Sequence, residues 1–111
     1  MSALAENDLI DVTVTGPSVD MMADLVRGLV EAGLAACGNV VPGVRSIYTW
    51  QGRVEDDSEV LAIVHTRREI IDEVMSHIVD QHPDDTPQIL AIPVTGALPA
   101  YRTWLIEATR R

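Results

Sequence analysis

The first regular pattern in the chain is an alternation of apolar and polar residues over positions 9–15. A period of two is typical of a strand with one buried face. Gly16-Pro17 interrupts the alternation, and because proline fits the first turn of a helix, a helix is predicted to begin there. The apolar residues of this helix recur at helical spacing: Val19, Met22, Val26, Leu29 and Val30. Gly33 is predicted to cap its C-terminus.

A long extended stretch follows over residues 35–51, and Pro42-Gly43 within it predicts a bend or a bulge. Gly52 and the acidic residues 55–57 predict a turn after this stretch. Residues 59–66 then carry apolar side chains on both faces, with Leu61 and Ile63 on one of them. Such a segment favours a strand in the centre of a sheet.

A second helix is predicted after the central strand, because Thr66 and Glu69 have the spacing of a capping box. The helix is predicted to end near His82-Pro83. Its inward face consists of Ile70, Ile71, Val74, Met75 and Ile78.

The last two elements are a strand and a short helix. Residues 88–94 form the strand, which Pro93 restricts to a sheet edge because proline has no N–H to donate. A helix is predicted from Pro99 onwards, with an apolar face of Tyr101, Trp104, Leu105 and Ala108. The order β-α-β-β-α-β predicts a ferredoxin-like α+β fold with a four-stranded antiparallel sheet and both main helices on one face.

The hairpin in the middle of the chain is predicted to project beyond the sheet, because its strands are longer than the first and last ones. Its exposed edges would carry Ile47, Tyr48 and Trp50. Since unpaired strand edges invite pairing with another chain, subunit association is expected. The length predicts a single domain over residues 1–111, with residues 1–8 flexible.

Composition supports a globular chain and limits its functions. Hydrophobic residues make up 47% of it and phenylalanine is absent, so the core is expected to consist of aliphatic residues and methionine, with Trp50 and Trp104 as its large pieces. The net charge of −9 argues against nucleic acid and fits cations, basic partners or solubility. The single Cys37 indicates a reducing compartment, and the sequence lacks a secretory signal or a membrane span, so a cytoplasmic protein is expected.

No pattern of catalytic residues stands out. The sequence contains neither a glycine-rich phosphate loop nor a spaced cluster of metal ligands or nucleophile and base. A non-enzymatic protein is therefore predicted.

Several motifs, taken in order, resemble the CutA family of divalent-cation tolerance proteins, and together they span most of the chain. The matching segments are residues 34–43, 46–55, 58–60 and 66–69, then His82-Pro83, Pro87 and residues 101–104. The resemblance implies a ferredoxin-like subunit, a homotrimer built through the long hairpin, an outline similar to PII signalling proteins, and a role in tolerance of divalent cations, chiefly copper.

The resemblance also implies a copper site, which this sequence matches in part. Two of its three ligand positions hold Val14 and Gln88, which are poor ligands, and the third holds His82. His65 stands where the family usually has lysine, so a rearranged site of His65, His82 and Asp84 or Asp85 is one hypothesis. The alternative is that both histidines are hydrogen-bonded structural residues, that Cys37 is a buried thiol and that His77 is solvated.

A cleft between subunits is the other predicted site. It would be lined by Tyr48, Trp50, Glu59 and Arg67, and a PII-like module would bind a small anionic or nucleotide-like ligand there. The alternatives are that the aromatic residues only pack in an interface, or that the trimer is a passive scaffold for partner proteins.

Overall fold

The computed structural model describes residues 8–109, which form four strands and three helices. In chain order they are β1 (Leu9–Gly16), α1 (Val19–Glu31), β2 (Cys37–Trp50), β3 (Arg53–Arg67), α2 (Ile71–Gln81), β4 (Ile89–Pro93) and α3 (Pro99–Ala108). The predicted α+β fold and its βαββαβ order are confirmed. The flexible segment predicted at the N-terminus lies outside the described residues except for Asp8.

The four strands form one antiparallel sheet in the order β2-β3-β1-β4, so β3 is central and β4 is an edge, as predicted. One face of the sheet packs against α1 and α2. The alternate residues of β1 and β3 point into this core, and they are joined by apolar residues of the helices, namely Ile10, Val12, Val14, Met22, Leu25, Leu29, Val60, Ala62, Val64, Val74 and Ile78. The period-two and helical patterns of the sequence therefore point to the same buried layer.

The opposite face of the sheet is covered at one corner by α3. Leu105 of this helix packs against Leu9 and Ala36 in a second, smaller apolar cluster. We call the rest of this face the open face; the strand register places Val41, Leu61, Ile63, Leu90 and Ile92 on it, together with Thr13. Leu90 and Ile92 are about half exposed there.

The long hairpin forms as predicted, but its turn is tighter. Trp50 pairs with Arg53, so the turn contains only Gln51 and Gly52, both with positive φ (50° and 76°). The acidic residues 55–57, which were predicted to lie in the turn, belong to β3 instead. The predicted bulge is confirmed, because the register of β2 against β3 shifts between Val41 and Val44.

The C-cap of α1 is Ala32, one residue before the predicted Gly33, which ends the helix with a φ of 72° that a side chain would disfavour. The N-terminal prediction was wrong by two residues. Ser18 is the N-cap and accepts a hydrogen bond from the backbone N–H of Met21 at 3.2 Å, so Pro17 lies before the helix.

The predicted capping box of the second helix does not form. Thr66 is part of β3, and its hydroxyl donates to the carbonyl of Leu34 at 2.8 Å, while Glu69 binds Arg67. A 3-10 turn at residues 68–70 connects the strand to α2. Pairing of β1 with the end of β3 keeps Thr66 extended, and this outweighs its local preference for a cap.

The prediction that tryptophans fill the core was also wrong. Trp50 is 61% exposed near the hairpin tip and Trp104 is 48% exposed on α3. The core of the described residues is aliphatic apart from Met22. Both tryptophans instead contribute to apolar surface.

Candidate functional site

Polar residues gather where the long hairpin leaves the sheet. This cavity, the hairpin groove, has a volume of about 390 Å³ and is lined by Thr15, Ser46, Ile47, Tyr48, Glu59, Asp84, Thr86 and Gln88. Seven of these eight side chains carry oxygen atoms, and two are carboxylates. Oxygen ligands suit hard cations such as Mg²⁺, Ca²⁺ and Mn²⁺.

Tyr48 closes one side of the hairpin groove, and its hydroxyl donates a hydrogen bond to the carboxylate of Asp57. This bond is the main reason that the pKa of Tyr48 is raised to about 12; the negative charges of Asp57, Glu55 and Glu59 act in the same direction. The phenol therefore keeps its proton at neutral pH. Trp50, predicted for the same cleft, lies two residues further along β2 towards the hairpin tip.

His82, one of the candidate metal ligands, is buried and makes two hydrogen bonds within the chain. Its side chain is 1% exposed. Nε2 donates to the carbonyl of Thr15 at 2.7 Å, and Nδ1 accepts from the backbone N–H of Asp84 at 3.0 Å. Both nitrogens are therefore occupied, so a metal ion could bind only after one of these bonds breaks.

The other two positions at which the family resemblance implies copper ligands hold side chains that bind copper poorly. Val14 is fully buried in the core between sheet and helices. Gln88 lines the hairpin groove and offers only an amide. The residues at these positions do not fit a copper ion, which favours imidazole or thiolate ligands.

His65 occupies a different part of the molecule, on the sheet face that α3 partly covers. Nδ1 lies 2.6 Å from Asp11 Oδ1, and Nε2 lies 2.9 Å from Asn39 Oδ1. The neighbouring Cys37 contacts the hydroxyl of Tyr101 at 3.1 Å. That hydrogen bond, with a smaller contribution from burial, raises the pKa of Tyr101 to about 12.

The rearranged metal site is not assembled within residues 8–109. His65 faces Asp11 whereas His82 contacts Thr15, four residues further along β1, or roughly 13 Å at the rise of a strand. Asp84 lies beside His82 and Asp85 is exposed next to it. Among the described residues, three or more His, Cys, Asp or Glu side chains do not come together in a way that could hold a metal ion.

Arg67, predicted for the cleft between subunits, lies far from Glu59 within one chain. It lies eight residues from Glu59 along β3, which corresponds to about 26 Å, and its side chain is buried. Nε and Nη2 donate to the hydroxyl and carbonyl of Thr109 at 2.9 and 2.8 Å, and Nη1 pairs with Glu69. Arg67 therefore holds the end of α3 on the sheet.

Sequence reasoning missed Asp11, Asn39 and Tyr101 as partners in a polar network. The polar face of the first strand contained Asp11, so part of the signal was present. The partnership depends on the register that places Asp11, His65 and Cys37 side by side on three strands, and this register links residues far apart in the chain.

Comparison with known proteins gives consistent matches. A family model described as CutA1 divalent ion tolerance protein matches residues 10–108. Protein CutA, chloroplastic, from Arabidopsis thaliana is 40% identical over 101 residues, which cover 91% of this chain and 56% of that protein. Divalent-cation tolerance protein CutA from Thermus thermophilus is 39% identical over 98 residues, covering 88% and 95%. The chain thus spans little more than half of the plant relative and most of the bacterial one.

Solved structures agree with the fold. CutA1 from Oryza sativa has a TM-score of 0.90 at 37% identity and covers 93% of this chain and 94% of its own. The periplasmic divalent cation tolerance protein CutA from Archaeoglobus fulgidus has a TM-score of 0.88 at 32% identity, covering 92% and 99%. Relatives are thus named for more than one compartment. Within residues 8–109, the helices are too short or too polar to cross a membrane.

The predicted family resemblance is confirmed by the family model, by the relatives and by the shared fold. This chain belongs to the CutA1 divalent ion tolerance family.

Proposed function

We propose that this protein acts in tolerance of divalent cations as a homotrimer that binds a hard divalent cation weakly in the hairpin groove. The role follows the names of its relatives. It involves no catalysed reaction, and we propose the cytoplasm as its compartment. The observation that carries the proposal is the oxygen-lined groove at the base of an overlong hairpin.

Apolar surface supports the trimer. The open face carries aliphatic side chains that α3 does not cover, and the hairpin exposes Ile47, Trp50 and Val54. Contiguous apolar surface of this kind marks an interaction site, and both β2 and β4 are edge strands that offer unpaired backbone groups. Second and third copies of the chain would cover this surface.

Sedimentation velocity tests the trimer directly. We expect a mass three times the 12.1 kDa of one chain at micromolar concentration. Leu90→Glu on the open face should dissociate it, because a charge would have to be buried. Val79→Glu is the matched control, since Val79 is similarly exposed but lies on α2. A single-chain mass for the unmodified protein would refute the trimer.

The cation site rests on Glu59 and Asp84, the two carboxylates of the hairpin groove. His82 acts on this site as a positioning residue, because its Nδ1 accepts from the backbone N–H of Asp84. Two carboxylates with neutral oxygen ligands predict a dissociation constant on the order of 10⁻⁴ to 10⁻³ M, as for weak calcium sites. Copper and zinc prefer nitrogen and sulfur ligands, so the groove lacks the ligands that would select them specifically.

Titration calorimetry with Mn²⁺ and Cu²⁺ tests the site. Asp84→Asn and Glu59→Gln should each weaken Mn²⁺ binding severalfold. Asp85→Asn removes the same charge from the adjacent residue, which does not line the groove, and should change little. Equal binding by Asp84→Asn and Asp85→Asn would refute the groove as the site. Loss of copper binding only in His82→Ala would instead favour the copper site that the family resemblance implies.

A further inference from the structure

A second cavity lies between α3, the segment before it and the sheet, with a volume of about 410 Å³. Its walls are mainly apolar and include Leu9, Leu98 and Leu105. Three polar side chains converge on it: Asp11, His65 and Tyr101. A cavity of this size with apolar walls and few polar groups is typical of a small-molecule site. This cavity and the hairpin groove share no lining residue, although both adjoin the same sheet.

Asp11 sets the charge preference of this cavity. A carboxylate has about four acceptor positions, so Asp11 can accept from a ligand while it also binds His65. The nearest guanidinium group along β3 belongs to Arg67, and it already donates hydrogen bonds to Thr109 and Glu69. Tyr101 adds an aromatic ring and a hydroxyl that is uncharged at neutral pH. A carboxylate beside an aromatic ring favours an ammonium group.

His65 is the competitor for Asp11. Both of its ring nitrogens face oxygen atoms, those of Asp11 on β1 and Asn39 on β2. A neutral imidazole has one N–H, which it can donate to Asp11, whereas the imidazolium can donate to both oxygens. Cys37 on β2 and Tyr101 on α3 are further titratable groups on this side, and they contact each other. A bound ammonium ion would therefore replace the imidazolium as the positively charged partner of Asp11.

We propose that this cavity binds a small organic ammonium ion with an apolar body, in exchange for the proton of His65. The apolar body lies against the leucine walls and Tyr101, and the ammonium group donates to Asp11. On binding, the His65 imidazolium releases one proton to solvent, so the total charge of the site is conserved. The inference goes beyond the tolerance role and does not depend on it, because it uses different residues.

Three matched probes test the charge preference: 2-phenylethylammonium, 2-phenylethanol and 3-phenylpropanoate share one aromatic body. Amide chemical shifts of the unmodified protein should change saturably at millimolar ammonium probe, with the largest changes at residues 94–98. The neutral and anionic probes should bind at least about tenfold more weakly, as expected for loss of a charge-assisted bond. Equal binding of all three probes, or no saturable shift with the ammonium probe, would overturn the proposal.

Two variants test the proton exchange. Asp11→Asn should weaken the ammonium probe about tenfold. Asp24→Asn, an equal charge change on the exposed side of α1, should leave its binding unchanged. Affinity should be severalfold higher at about pH 8 than at about pH 6, because the ammonium ion competes with a proton for the site. His65→Gln should bind equally well at both pH values. A pH dependence that persists in His65→Gln, or an Asp11→Asn protein that binds normally, contradicts the exchange.

Discussion

Arg67 should be the main polar anchor of α3, and replacing it with methionine tests this. Methionine keeps most of the apolar stem but removes two hydrogen bonds, from Nε to the hydroxyl of Thr109 and from Nη2 to its carbonyl. Both bonds are made at the C-terminal end of α3, where the helix dipole favours a positive charge. Since Arg67 is 6% exposed, water cannot easily replace them.

The magnitude follows from these contacts. A hydrogen bond to a charged group contributes roughly 1.5–3 kcal/mol, so the two bonds predict a loss of about 3–6 kcal/mol in Arg67→Met. The ion pair with Glu69 should contribute only about 0–1 kcal/mol, because its carboxylate side chain is 48% exposed. Glu69→Gln is therefore a matched control that keeps the two bonds to Thr109.

Denaturant unfolding and amide hydrogen exchange measure the effect. Unfolding is compared at one chain concentration, since association would add to the apparent stability. We expect Arg67→Met to lower the free energy of unfolding by at least about 3 kcal/mol and to speed exchange in α3 about a hundredfold. Its coupling with Thr109→Val should reach at least about 1 kcal/mol in a double-mutant cycle. A loss below about 1 kcal/mol without coupling would mean that apolar packing of α3 is sufficient, and would refute the anchor.

Three other changes have direct expectations. A Cβ on Gly38 would lie 2.6 Å from a methyl carbon of α1, so Gly38→Ala should destabilise by roughly 1–3 kcal/mol in denaturant unfolding; Gly96→Ala, with open space around it, should be near neutral. Gln51→Asn should stabilise by roughly 0.5 kcal/mol in the same assay, because asparagine tolerates the positive φ of the hairpin turn better; a loss of stability would contradict that turn geometry. Tyr48 should titrate at about 12 by ultraviolet absorbance and return towards 10.0 in Asp57→Asn. Because its folded pKa lies above the unfolded one, its stabilising effect should be complete below pH 10 and disappear as pH rises to about 12; an unchanged titration in Asp57→Asn would contradict the assigned hydrogen bond.

The candidate sites were predicted only in part. The alternation of side chains along β3 predicted the correct sheet face for His65. The His82-Pro83 motif indicated that His82 has a particular role. One of the two hydrogen bonds of the His82 ring joins it to Thr15, 67 positions away, so no local pattern could indicate that bond. Arg67 was predicted to line a cleft between subunits together with Tyr48, Trp50 and Glu59. Its partner within the chain, Thr109, reaches it only because α3 folds back over the sheet.

The wrong predictions of local structure also arose because contacts between residues distant in sequence outweighed local preferences. Thr66 and Glu69 have the spacing of a capping box. Pairing with Ile10 and Leu9 of β1 nevertheless extends β3 through Thr66 and Arg67. The tryptophans were expected inside because of their size, but the core at these positions is filled by shorter aliphatic side chains.

The sequence by itself determined the type, order and buried faces of the strands and helices. These depend on periodicity and on turn residues such as Gly33 and Gly43, which act within a few positions of the chain. The tertiary structure decided which polar groups become partners. His65 with Asp11, His82 with Thr15 and Arg67 with Thr109 all depend on strand register and on the packing of α3. Such contacts form between residues distant in sequence, so their energies become visible only once the chain has folded.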